Sequence, residues 1–190
     1  MRGRAALVEG TRQRITEAAM RLHTTIGPSR ASISAVAQEA GVTRVTLYRH
    51  FSSSDELFAA CMGHWRSLHP PPDPRAWSGI ANFTPRVRRA LSELYGWYAA
   101  NSDDLYPIYR DAAYTPASNR RARRSTNELM VESMLAGNSV EGAGQRRLRA
   151  AVAHVVGFWT WRSLTMDGEL STREAINLAT TFVVAARSAA

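Results

Sequence analysis

The chain has 190 residues and a formal net charge of +8, and every one of its 24 basic residues is arginine. That length allows one large domain or two small ones with a real core. The single cysteine excludes an intrachain disulfide framework. Met1 to Glu9 lacks the apolar run of a signal peptide, and no stretch approaches the roughly 18 apolar residues of a membrane span, so a cytoplasmic protein is expected. Eight arginines against three acids lie within residues 1–53, which concentrates the positive charge there and suits a polyanionic partner.

In chain order, residues 1–10 show no apolar period. The spacing of Ile15, Ala18, Ala19, Leu22 and Ile26 predicts helix 1 over about Thr11 to Ile26, stopped by Gly27-Pro28. Ser32 caps helix 2, whose inner face is Ile33, Val36, Ala37 and Ala40. Gly41 supplies the positive φ of a sharp turn, and Thr43 caps helix 3, with Leu47 and Phe51 inward. A small residue at Ala37, a turn glycine four later and an aliphatic six after that is helix-turn-helix spacing. It leaves Arg44, Val45, Thr46 and Arg49 outward, available to a DNA major groove. Arg44 and Thr46 are expected at base edges and Val45 at a thymine methyl, with Tyr48 and His50 on phosphates beside Ser32 and Thr43, and Arg49 as a further contact.

So small a bundle needs further support. Helix 4 begins in Ser52 to Glu56, carries Leu57, Phe58, Cys61, Met62, Trp65 and Leu68, and ends at the proline run 70–74. Helix 5 is expected over about Asn82 to Asn101, helix 6 over about Asp103 to Ala113 with Pro107 bending or starting it, and helix 7 over about Pro116 to Ala136. Helices 8 (about Gln145 to Met166) and 9 (about Thr172 to Ala189) are apolar on more than one face, which requires burial both inward and against a second copy of the chain. Gly157 is expected inside helix 8, allowing close helix approach.

Ala40-Gly41-Val42-Thr43, the run Thr46 to Phe51 and Leu57-Phe58 resemble the DNA-binding domain of TetR-family transcriptional regulators. The resemblance covers about the first third of the chain. It implies an all-α fold, with an N-terminal three-helix helix-turn-helix bundle (1–53) and a C-terminal helical ligand-binding and dimerisation domain (54–190). The resemblance also implies a homodimer through helices 8 and 9, a pseudo-palindromic operator in double-stranded DNA, and a small-molecule effector. Arg2 and Arg4 either form an arm reaching a minor groove, as such extensions do in the family, or belong to a frayed end. The family carries Lys or Arg just inside helix 4, where this chain has Ser54, so one charge-assisted phosphate contact is missing.

A mostly apolar effector suits the set Phe58, Met62, Trp65, Trp97, Tyr98, Tyr106, Tyr109, Tyr114, Met130, Met134 and Trp159, with Asp111 and His154 as polar candidates. The same residue types also build any helical core, which leaves open a ligand-independent DNA-binding or protein-partner module. Cys61 and His64 have i, i+3 spacing, but a buried inert thiol accounts for Cys61 without a metal. No nucleophile motif, phosphate loop or metal-ligand set argues for an enzyme, and no cofactor is expected.

Overall fold

The computed structural model describes the backbone of residues 2–188 and the side chains of residues 6–188. In chain order its helices are α1 (Arg2–Thr25), α2 (Ile33–Glu39), α3 (Arg44–His50), α4 (Ser54–Leu68), α5 (Arg75–Ser78) and α6 (Phe83–Ala100). They continue as α7 (Ser102–Arg110), α8 (Ala117–Leu135), α9 (Gly142–Val155), α10 (Phe158–Arg162) and α11 (Thr172–Ser188). A 3-10 turn, Ala112–Tyr114, follows α7, and a π-helical turn, Ser163–Asp167, follows α10. Among the described residues there is no strand, and the fold is all-α.

The chain divides into two compact units, Met1–Pro70 with Asn101–Arg121, and Pro71–Ala100 with Ala122–Ala190. In packing terms α7 therefore belongs with the N-terminal helices, a grouping that a cut at residue 53 does not contain.

In the first unit, α1 buries Ile15, Ala18 and Ala19 against its neighbours, chiefly α4, α7 and α2. It starts nine residues before the expected Thr11. The early turns carry no proline, and the Thr11 hydroxyl donates back to the Leu7 carbonyl at 3.0 Å, so helical propensity suffices without an apolar stripe. The side chains of Arg2 and Arg4, and with them the expected arm, lie outside the described residues. Ser53 caps α4 by accepting from the Glu56 amide, while Glu56 accepts from the Ser52 amide and hydroxyl. Trp65, buried on α4, donates its indole N–H to Asp104 of α7 at 2.7 Å.

The turn between α1 and α2 is held from α7. Asp111, buried, accepts from the Ser29 amide (3.1 Å) and the Ser29 hydroxyl (2.5 Å), and pairs with Arg110, whose guanidinium also reaches the Ile26 carbonyl. Gly27 sits beneath this clasp at φ +91°, where a Cβ would stand 2.3 Å from the Asp111 carboxylate. Both the dihedral and the space exclude a side chain there.

In the second unit the expected continuous helix 8 is broken. Gly157 is extended (φ −73°, ψ 136°), so the segment runs as α9, a break, α10 and the π-helical turn. Gly157 therefore lies outside any helix, rather than inside one as its spacing suggests. The break strands carbonyls that a helix would have satisfied, and two tyrosines of α6 take them up: Tyr95 donates to Val155 at 2.9 Å and Tyr98 to Val156 at 2.8 Å. Burial pushes the Tyr95 hydroxyl well above its ordinary pKa, which keeps it a donor. Buried Arg86 of α6 likewise donates to the carbonyls of Ile80, Ala81 and Ala136, closing the loop before α6 and the end of α8.

Candidate nucleic-acid interface

The site is α3 and the residues that aim it. Thr43 caps α3, its Oγ1 accepting from the Thr46 amide at 3.1 Å and pairing with the Thr46 hydroxyl at 3.0 Å. Ser32 caps α2 by accepting from the Ala35 amide. Gly41 turns the corner at φ +64°, with open space around its missing Cβ, so only the dihedral requires glycine there. Leu47 and Phe51 are fully buried, which fixes the rotation of α3 about its axis.

That rotation exposes Arg44, Tyr48 and Arg49, and leaves Val45 72% exposed. Thr46 and His50 are half-buried. Among the described residues Arg44, Tyr48 and Arg49 make no hydrogen bond or ion pair, so their donors are available to a partner. The eight residues expected at DNA thus lie on α3, its cap and the cap of α2, all within one unit.

Two supports were not visible in the sequence. Arg12 of α1 donates to the His50 carbonyl, pairs with Glu56 at 3.1 Å and covers the Phe51 ring at 4.1 Å. It buttresses the end of α3, and its charge is engaged within the protein. Leu7, Val8 and Thr11 of α1 form, with Thr46, Arg49 and His50, a concavity of about 320 Å³. No apolar period marks this part of α1, so only the fold brings it beside α3.

The expected effector set falls into two groups. Phe58, Met62 and Trp65 of α4 are buried and Tyr106 and Tyr109 of α7 half-buried, all in the first unit. Tyr98, Met130 and Met134 are buried, Trp97 is half-buried and Trp159 exposed, all in the second. The polar candidates lie elsewhere: Asp111 is committed to Ser29 and Arg110, and His154 is exposed with its ring 6.1 Å from that of Phe182. Tyr114 is exposed as well. Cys61 contacts His23 rather than His64, its sulfur 3.2 Å from the imidazole Nδ1. Burial pushes the thiol up to about 12 and the imidazole down to about 4, so both are neutral at neutral pH.

The second unit exposes several large apolar side chains. Trp159, Leu178 and Phe182 are each about half exposed. Phe182 lies between a groove of about 270 Å³, lined by His154, Leu164 and Leu178 among others, and one of about 440 Å³ lined largely by alanines of α9 and α11. Among the described residues no helix is long and apolar enough to cross a membrane.

Comparison with known proteins places this geometry. The family profile described as bacterial regulatory proteins, tetR family, matches residues 15–61, from the first buried residue of α1 to the middle of α4. The HTH-type transcriptional regulator SrpR of Pseudomonas putida is 37% identical over 82 residues, a match that spans 40% of this chain and 38% of SrpR. A TetR-like transcriptional regulator from Rhodococcus sp. RHA1 shares the fold with a TM-score of 0.56 at 22% identity, over 91% of this chain and 93% of that one. NalD of Pseudomonas aeruginosa, the secondary repressor of the MexAB-OprM multidrug efflux pump, does so with a TM-score of 0.57 at 16% identity, over 92% and 96%. The outward, cap-fixed α3 and its supports coincide with the matched segment, so residues 15–61 are similar to the DNA-binding segment of the tetR family of bacterial regulatory proteins, and the rest of the chain shares the all-α fold of the solved structures.

Proposed function

We propose that the protein is a homodimeric repressor acting in the cytoplasm, which grips a pseudo-palindromic operator with two copies of α3 and is released by a small, mostly apolar effector. The observation that carries the DNA reading is the unpartnered, outward set Arg44, Tyr48 and Arg49 on a helix whose rotation Leu47 and Phe51 fix. Arg44 and Thr46 read base edges, and Val45 meets a thymine methyl. Tyr48, His50, Ser32 and Thr43 hold phosphates, with Arg49 as a further contact. While Thr43 Oγ1 accepts from the Thr46 amide, its own proton remains for a phosphate if the Thr46 hydroxyl donates within the pair.

Gel shifts against the promoter region beside the gene test this reading. Tyr48→Phe is expected to weaken operator and random DNA about equally. Arg44→Ala, losing a base contact of about 1–3 kcal/mol, narrows the gap between them. Equal loss on both DNAs would assign Arg44 to the backbone, and no salt-sensitive, sequence-selective shift at any palindrome would sink the operator reading.

The effector reading rests on the aromatic and methionine side chains that each unit carries, those of α4 and α7 in the first, and on the membership of α4 in the DNA-binding unit. An effector that moves α4 moves the rod that carries Leu57 and Phe58, and so changes the separation of two α3 helices. Reversing a 1:99 equilibrium takes about 10⁴-fold differential affinity. By reciprocity, saturating operator must weaken effector binding by the same factor, a change that tryptophan fluorescence titrations with and without operator would resolve. Identical affinities in both would rule out the coupling for that compound. The near-complete burial of Phe58, Met62, Trp65, Tyr98, Met130 and Met134 favours the second reading, a ligand-independent module with a filled core. Failure of a broad apolar library to bind would establish it.

A further inference from the structure

Within the first unit, a cleft of about 300 Å³ opens between α2, the first turns of α4 and the turn that ends in Pro116. It lies apart from the outward face of α3 and contains only Phe58 and Tyr114 of the residues expected at an effector. Its floor is apolar and aromatic: Val36, Leu57 and Phe58 are buried, and the His23 ring sits 4.9 Å from that of Phe58. Its mouth carries Asp55 and Tyr114, both exposed.

Two features define what such a cleft selects. The first is charge. Every lining residue other than Asp55 and His23 is uncharged, and burial holds the His23 imidazole in its neutral form. Asp55 is therefore the one formal charge, a carboxylate in a protein whose net charge is +8. Its neighbour Glu56 is taken up by Ser52 and Arg12, whereas Asp55 makes no hydrogen bond or ion pair among the described residues. The second is the π surface. Tyr114 presents a ring at the mouth and Phe58 one at the floor, and aromatic faces attract cations as well as stacking on flat rings.

We propose that this cleft binds a small aromatic cation, with its charged end between Asp55 and Tyr114 and its ring over Phe58. A planar amidinium or guanidinium suits the carboxylate best, since two parallel N–H groups match its two oxygens. A molecule in this position touches α2 and α4 together, and so ties the helix-turn-helix to the helix that supports it. Occupancy raises the melting temperature of the folded chain as ligand concentration exceeds the dissociation constant.

The probe is benzamidinium, compared with its neutral isostere benzamide and with benzoate, in titrations of the ¹⁵N-labelled full chain followed by amide chemical shifts. Benzamidinium is expected to shift the amides of Ile33, Val36, Leu57 and Thr115, with benzoate silent. Asp55 is exposed, and exposed ion pairs are weak, so Asp55→Asn is expected to weaken benzamidinium about three- to fivefold and leave the free spectrum otherwise intact. Benzamide should bind wild type about as weakly as benzamidinium binds Asp55→Asn. Unchanged affinity in Asp55→Asn, equal binding of benzamide and benzamidinium, or shifts confined to other parts of the chain would each overturn the proposal. Since these readouts need no DNA, they are independent of the operator and effector readings.

Discussion

Replacing Leu178 and Phe182 together by glutamate is expected to turn the protein into a folded monomer and to weaken operator binding by at least two orders of magnitude. Both side chains are half exposed on α11, beside grooves lined by Leu164 and by the alanines of α9 and α11. Fully burying an aliphatic or Phe side chain is worth about 1.5–3 kcal/mol, so covering the exposed half of each contributes about 1 kcal/mol. A two-fold interface counts every substitution twice. The glutamates further replace that gain by the cost of desolvating four charges, so the dimer constant should shift by well over about 4 kcal/mol. In the proposed dimer, loss of DNA binding follows because two half-sites about 34–36 Å apart, or a multiple of that, would be held by linkage of two α3 helices. Sedimentation equilibrium reads the assembly, and circular dichroism shows that the helices persist. A double variant that remains dimeric at wild-type concentrations would place the interface elsewhere.

The second large effect belongs to the clasp between α7 and the turn before α2. Gly27→Ala is expected to destabilise the chain by about 3 kcal/mol or more. The left-handed dihedral costs an L residue about 1–2 kcal/mol, and the Cβ, 2.3 Å from the Asp111 carboxylate, displaces hydrogen bonds to a charged group worth about 1.5–3 kcal/mol each. Asp111→Ala should cost a similar amount without the strain, because Ser29 and Arg110 lose one shared partner. The Arg110 guanidinium, followed by the Ser29 hydroxyl and amide, holds the Asp111 carboxyl well below its ordinary value. A depressed carboxyl stabilises the fold above its ordinary pKa near 3.8, and that contribution is lost as the pH falls below this value. The clasp is therefore constant across neutral pH, and Asp111→Asn should lower stability at neutral pH and flatten the acid limb of the profile, because the neutral amide lacks the charge that Arg110 and Ser29 hold. Denaturant midpoints measured between pH 3 and 8 decide the matter. A Gly27→Ala protein as stable as wild type would show that the turn relaxes freely around the new methyl group.

What the sequence made legible was local. The caps Ser32 and Thr43, the turn glycine and the inward pair Leu47 and Phe51 lie within some twenty residues of one another. Each acts through its own hydrogen bond or dihedral, so the helix-turn-helix and its outward face can be read directly. The Asp111–Ser29 bond joins residues 82 positions apart, and neither residue type announces a partner. That is why α7 was expected with the C-terminal body, and why Asp111 was expected in a pocket rather than in a clasp. The same distance hid Arg12, which reads as one more surface arginine until α3 and Glu56 are brought to it. The apolar excess of the last two long segments was legible as composition, and half-exposed Leu178 and Phe182 match it. Which face each residue would take was not, because Gly157 interrupts the helix that set the count.

That interruption also fixes two indoles in opposite surroundings. Carried on in steps of three and four, the inner row Leu148, Val152 and Val155 of a straight helix would turn Trp159 inward. The extended glycine shifts the phase by one residue, so Phe158 and Trp161 fill the core and Trp159 faces out. Two tryptophans only two positions apart thus form an internal optical contrast, one open to aqueous quenchers and the other sealed from them. Light emitted by Trp159 reports whatever comes to cover its own exposed ring, while Trp161 reads the integrity of the core.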